Sequence, residues 1–153
     1  MDISSILPIE AILPQLPARD KKQALKMMAA RAAEITGLSE REIFSTLIER
    51  EQIGCTGMGA GVCIPHGRFE KLKKLYSVFA HIEKPIEFGA ADGKPVDLIF
   101  LLLSPSSENT DHIKAIASIS RLLRDKELCK NLRKTTDAAT IHALLTAPRG
   151  DDA

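Results

Sequence analysis

Tryptophan is absent from the 153-residue chain, tyrosine occurs once and phenylalanine five times, so aromatics make up only 4% of it. A surface that stacks nucleic-acid bases needs exposed aromatic faces, and this chain has few to offer. An excess of either charge is missing too: 21 Lys and Arg against 20 Asp and Glu leave a formal net charge of +1. No global field therefore draws the chain to a polyanion or an acidic membrane. Three cysteines at scattered positions, an odd count, do not make a disulfide framework. The longest apolar run is roughly eight residues, around 96–103, far short of the 18 or so that a membrane span needs. The first residues, Met1-Asp2-Ile3-Ser4-Ser5, are acidic where a secretory signal is basic. These absences leave the cytoplasm as the expected location.

What is present is an ordinary globular composition, 44% hydrophobic and 27% charged, in a length that suits one domain with a real core. Glycine is unevenly spread. Five of the nine glycines fall in 54–67, a stretch that also holds two of the three cysteines and ends Ile64-Pro65-His66-Gly67. Glycine clusters where the backbone must take positive φ or approach another group closely. An imidazole between Pro65, with its fixed φ, and Gly67, with its free one, is presented at a set angle.

Residues 1–18 carry Pro8, Pro14 and Pro17 among Ile and Leu and read as an apolar N-terminal arm packed on the domain. Helical spacing follows Asp20, with Leu25, Met28, Ala32 and Ile35 on one face and Gly37 as the stop. Ser39-Glu40-Arg41-Glu42 has the form of a capping box, and the helix it opens is expected to run to about Glu51. A basic patch, Arg68, Lys71, Lys73 and Lys74, comes after His66. Alternation over 76–82 predicts a half-buried strand, with Val78, Ala80 and Ile82 opposite Ser77, Phe79 and His81. A short strand is expected at 86–88, a turn at 91–94, and a strand covered on both faces at 96–103. Helical spacing resumes from Asp111, again over 125–132, and last in a helix capped near Thr136, before a polar tail at 147–153. The pattern is that of an α/β fold: one layered domain, a mixed parallel and antiparallel sheet with helices on both faces.

His66 has the richest local context. A neutral histidine can take a phosphoryl group on one ring nitrogen while a hydrogen bond holds the other, and nearby amides can cradle the phosphoryl oxygens. Amides at Thr56, Gly57, Gly59 and Gly61 are the expected cradle. The residues alone leave a second reading open, a turn histidine that caps a strand. A Walker A loop is excluded because no Gly-Lys-Ser/Thr follows, and a dinucleotide fingerprint because a helix, not a strand, precedes the glycines. Only Cys63-x-x-His66 has metal-ligand spacing, so no metal is expected. A Cys–His hydrolase is equally weak, since adjacency in sequence seldom gives nucleophile–base geometry. His112, at the start of a helix beyond the central strand, is either a partner for His66 or a solvent-facing helix residue. Arg50, at the end of the helix before the glycines, is placed to reach a phosphate or to answer the helix dipole. His81 and His142 read as strand-surface and helix-surface residues.

The block Ile48-Glu49-Arg50-Glu51, then Gly57-x-Gly59-x-Gly61-Val62-x-Ile64-Pro65-His66-Gly67, resembles the signature of the IIA domains of the bacterial phosphoenolpyruvate-dependent phosphotransferase system. The likeness is to the fructose/mannitol type (EIIA type 2), and within it to the stand-alone nitrogen regulatory IIA proteins. Lys94-Pro95-Val96-Asp97-Leu98-Ile99-Phe100 resembles that family's central strand, and Asp111-His112-Ile113 with Leu122-Leu123-Arg124-Asp125 its next helix. The resemblance covers roughly 5–146. It implies that His66 is phosphorylated at Nε2 by an HPr-like phosphocarrier with enzyme I upstream, and that His112 and Arg50 are its active-site companions. It implies no cofactor and no metal. It further implies regulatory protein targets, potassium transporters and sensor kinases being typical of the family, or else transfer to a separate IIB in a sugar pathway.

Overall fold

The computed structural model describes residues 2–54, 57–107 and 110–148. One six-stranded mixed sheet organises them. Its spine is β6 (Val96–Pro105), in which every residue but Asp97 is buried. The long β5 (Tyr76–Ile86) pairs antiparallel along one edge of β6, with Val78 opposite Leu101 and Phe79 opposite Phe100. Along the other edge run β3 (Val62–Cys63) and β4 (His66–Phe69), both parallel to β6. Val62 faces Leu98, Cys63 faces Ile99, His66 faces Leu102 and Gly67 faces Leu103, a constant offset, so β3 and β4 are one line broken only at Ile64-Pro65. Proline's missing N–H explains the break. Its carbonyl still accepts from the Leu102 amide at 2.9 Å and keeps the register. A short β2 (Gly57–Gly59) forms a hairpin with β3, and β1 (Ile12–Leu16) joins β5 in parallel at the opposite edge.

The helices start where short polar side chains can take up free amides. Asp20 accepts from the Gln23 amide at 2.8 Å to open α1 (Lys21–Thr36), and Gly37, at φ +80°, closes it. Ser39 accepts from the Glu42 amide to open α2 (Glu40–Ile53), two residues longer than expected. The remaining helices are α3 (Thr110–Leu123), α4 (Lys126–Arg133), capped by Asp125, and α5 (Ala138–Thr146), capped by Asp137 rather than Thr136. Strand parity separates the layers. A Cβ on Gly67 would lie 3.0 Å from Thr46 of α2, whereas Val62, of opposite parity on the same line, borders a pocket of about 380 Å³ with Leu123 of α3 and Cys129 of α4. Helices therefore flank the sheet on both faces.

Three local expectations change. The strand read over 76–82 extends to Ile86 after a register shift and takes in part of the separate strand expected at 86–88. It is covered on both faces for most of its length, since Ser77 and Phe79 are buried. The N-terminal segment also reaches this strand: the Ile6 carbonyl accepts from both the amide and the hydroxyl of Ser77, at 3.0 and 2.8 Å. Lastly, part of the stretch read as an arm is itself strand β1.

Candidate functional site

His66 opens β4, and the phase of the strand decides what its ring can reach. Gly61 and Pro65 turn their carbonyls toward β6, where they accept from the Leu98 and Leu102 amides. Ile64 is out of phase with them, so its carbonyl points away from the ladder. The His66 ring takes that acceptor, with Nδ1 3.1 Å from Ile64 O. A carbonyl can only accept, so Nδ1 carries the proton and Nε2 keeps a lone pair. Burial lowers the pKa of His66 below the ordinary value; the Ile64 hydrogen bond and Glu51 oppose that, while Arg50 and Arg68 reinforce it. A neutral ring with a bare Nε2 is the nucleophilic form of histidine.

His112 reaches the same place from another direction. It sits in the first turn of α3, after β6, and its ring centroid lies 5.4 Å from that of His66 in an edge-on arrangement. Only 5% of its surface is exposed. Its Nδ1 lies 2.5 Å from Oγ of Ser104, a fully buried serine near the end of β6. Desolvation, then the charges of Arg68 and His66, lower its pKa to about 4. Both imidazoles are therefore neutral at physiological pH.

Arg50, in the last turn of α2, donates from Nη1 to the Gly54 carbonyl at 3.3 Å, which holds the guanidinium at the helix end where its charge is felt by His66. The fold thus brings His66, His112 and Arg50 together. Three further residues shape the same field, none of them given a role at the site by the sequence: Arg68, read only as part of a basic patch, Glu51 and Ser104. Arg68 lies two residues beyond His66, on the same face of β4 and opposite Ser104. Glu51 is buried and paired with Lys21 at 3.0 Å. Nothing in the sequence sets Ser104 apart at the end of an apolar run, and nothing marks Glu51 as buried.

The expected glycine cradle divides. Gly59, Ala60 and Gly61 make the tip of the β2–β3 hairpin, all three at positive φ (81°, 56° and 83°). Asp92 accepts from the Ala60 amide at 2.9 Å, and Arg133 donates to the Ala60 carbonyl at 2.7 Å while its Nε holds both oxygens of Asp97. Gly61 lies five residues along the β3–β4 line from His66, roughly 16 Å at strand spacing. The structure therefore does not bring Gly59 and Gly61 to His66. Gly57, opposite Cys63, is nearer the site end of the hairpin, and Thr56 lies outside the described residues. His81 is half-buried on β5, and His142 donates from Nε2 to the Leu7 carbonyl at 2.9 Å, tying α5 to the N-terminal segment instead of facing water. Among the described residues no cluster of His, Cys, Asp and Glu could hold a metal ion, and no helix is long and apolar enough to cross a membrane.

Residues 5–147 match the model of the family described as phosphoenolpyruvate-dependent sugar phosphotransferase system, EIIA 2. The chain is 49% identical over 148 residues to a nitrogen regulatory protein of Bradyrhizobium diazoefficiens, covering 97% of both chains. It is 32% identical to the nitrogen regulatory protein of Escherichia coli, covering 98% of this chain and 93% of that one. The crystal structure of the nitrogen regulatory protein IIA-Ntr from Neisseria meningitidis superposes with a TM-score of 0.89 at 33% identity, over 94% of this chain and 99% of that one. Sequence likeness and fold agree end to end, and the chain belongs to the EIIA type 2 family of the phosphoenolpyruvate-dependent phosphotransferase system.

Proposed function

We propose that this chain is a cytoplasmic phosphocarrier that takes a phosphoryl group on Nε2 of His66 from an HPr-like phosphocarrier protein, itself charged through enzyme I. Its main output is nitrogen-linked or metabolic regulation. The observation that carries this reading is the hydrogen bond from His66 Nδ1 to the Ile64 carbonyl, which leaves Nε2 as the bare nitrogen beside His112 and within the field of Arg50. In the transfer, the Nε2 lone pair forms the new P–N bond while the donor's P–N bond breaks and returns its electron pair to the donor nitrogen. His66 keeps its Nδ1 proton, so the step requires no base. Arg50 and His112 meet the charge on the phosphoryl oxygens, with the Gly57 amide as a further candidate.

Incubation with phosphoenolpyruvate, enzyme I and the HPr-like protein is expected to yield an acid-labile, base-stable phosphate on His66, and none on a His66→Ala variant. Undiminished labelling of that variant would refute the assignment. The regulatory half of the reading rests on the nitrogen regulatory relatives. A second reading, a sugar-pathway IIA that hands its phosphate to a separate IIB, is favoured by 30% identity over 145 residues to a fructose-specific EIIA component of Haloferax volcanii. Rapid discharge of phosphorylated protein by fructose- or mannitol-type IIB would select the sugar pathway. Slow discharge, with binding to a regulatory target such as a potassium transporter or sensor kinase, would select regulation.

A further inference from the structure

We infer that Ser104 sets the tautomer of His112, its hydroxyl donating to Nδ1 so that Nε2 carries a hydrogen for the phosphoryl group on His66. The inference rests on the phosphoryl-acceptor reading of His66. It makes Ser104 a positioning residue, which acts through the imidazole and does not touch phosphate.

Proton accounting in a buried place decides between the two tautomers. Ser104 is fully buried on β6, and among the described residues its hydroxyl meets one partner, His112 Nδ1, at 2.5 Å. A neutral imidazole has one nitrogen that donates and one that accepts. If Nδ1 carried the proton, Ser104 would accept it and its own hydroxyl hydrogen would be a buried donor without an acceptor, a state folded proteins avoid. If Ser104 donates, both groups are satisfied and the imidazole hydrogen moves to Nε2. A third possibility, a doubly protonated ring, is opposed by the position of Arg68, which pairs in register with Ser104 on β4 and places a cation on this face of the sheet. The two histidines then hold opposite tautomers. His66, tied to a carbonyl, has a bare Nε2, and His112, tied to a hydroxyl, has a protonated one. One ring supplies the lone pair that bonds phosphorus, and the other supplies a neutral donor to the phosphoryl oxygens that needs no change of charge during transfer.

Long-range 1H–15N NMR of the wild-type protein near neutral pH reports which ring nitrogen is protonated and requires no substitution. We expect His66 protonated on Nδ1 and His112 on Nε2; a proton on His112 Nδ1 would overturn the inference. Ser104→Ala is expected to leave His112 as a mixture of tautomers and to slow phosphoryl uptake a few-fold, since only the fraction that still carries hydrogen on Nε2 can donate. The label should remain on His66. Ser104→Thr, which restores the hydroxyl, is expected to recover both the tautomer and the rate. A Ser104→Ala protein with the wild-type tautomer and wild-type uptake would also overturn it. If wild type takes no phosphoryl group on His66 at all, the phosphocarrier reading fails, whereas the tautomer measurement still decides the role of Ser104.

Discussion

His66 and His112 carry the same side chain, and their surroundings make them different reagents. Burial lowers the pKa of both, and for His112 the folded value of about 4 lies well under the ordinary 6.5. A nucleophilic imidazole must be neutral, so acidification through 6.5 should not switch it off. Phosphoryl uptake by wild type is accordingly expected to stay level from pH 8 to below 6.5 and to fall only when His66 itself takes a proton. A half-maximal rate at or above pH 6.5, in an assay where donor and enzyme I are not limiting, would contradict this. Arg50 is held at its place by the Gly54 carbonyl. Arg50→Ala is expected to lower the uptake rate by one to two orders of magnitude, and Arg50→Lys to recover only part of it. A point charge lacks the fork that meets two phosphoryl oxygens.

The β2–β3 hairpin belongs to a different scale, because no side chain in it does the proposed chemistry. Its tip is clamped between Asp92 and Arg133, and Gly61 is where the clamp is tightest. A Cβ there would lie 2.7 Å from Arg133 Nη2 and 3.0 Å from Asp97 Oδ1, on a backbone at φ +83°. Gly61→Ala must strain the backbone and push the guanidinium from its ion pair, which should cost roughly 2–3 kcal/mol. Thermal unfolding is the direct check. Gly37→Ala provides the contrast: it shares the positive φ, at +80°, but has nothing within 4 Å, so only the backbone part of the loss, about 1 kcal/mol, should appear. Equal losses at the two positions would show that the Arg133–Asp97 clamp contributes nothing.

At the scale of the whole molecule, the buried histidines tie stability to pH. The folded pKa of His112 is about 4, against about 6.5 in an unfolded chain. Between those values the unfolded chain binds a proton that the folded one refuses. Stability therefore falls as pH drops from about 6.5 to about 4 and takes no further loss from this group below that. Allowing for solvent at the edge of the site, the loss is about 2 kcal/mol. His112→Asn should remove that part of the slope, measured by denaturant titration at pH 7 and pH 4; parallel curves for the two proteins would refute the assignment. Phosphorylation acts at this scale as well. It adds about two negative charges at a half-exposed histidine beside Arg50 and Arg68. His66→Asp is expected to change which partners the protein retains in pull-downs, and identical partner sets with wild type would count against a charge-read docking surface.

Much of this molecule is legible in one dimension. The caps at Asp20 and Ser39 and the helix carrying His112 rest largely on residues near in sequence, and the strand around 96–103 shows as a continuous apolar run although its pairing partners are distant, so spacing and residue type sufficed to predict them. His66 stood out for the same reason, as an imidazole between a proline and a glycine, and its family followed from motifs in order. The cradle did not. Glycines at 59 and 61 look alike in sequence whether their amides meet a phosphate or their missing Cβ makes room for Arg133, 72 residues after Gly61. Nor did the sequence show that Ser77 would be buried with its hydroxyl on the Ile6 carbonyl, 71 residues earlier in the chain. Ser104 and His112 are eight positions apart, yet only the turn from β6 into α3 sets hydroxyl against ring. Local spacing determined which residues would form elements and marked His66 as the candidate histidine. The packing of distant elements decided which atoms of that histidine and its companions were free to act, since burial and hydrogen-bond partners exist only once the chain has closed on itself.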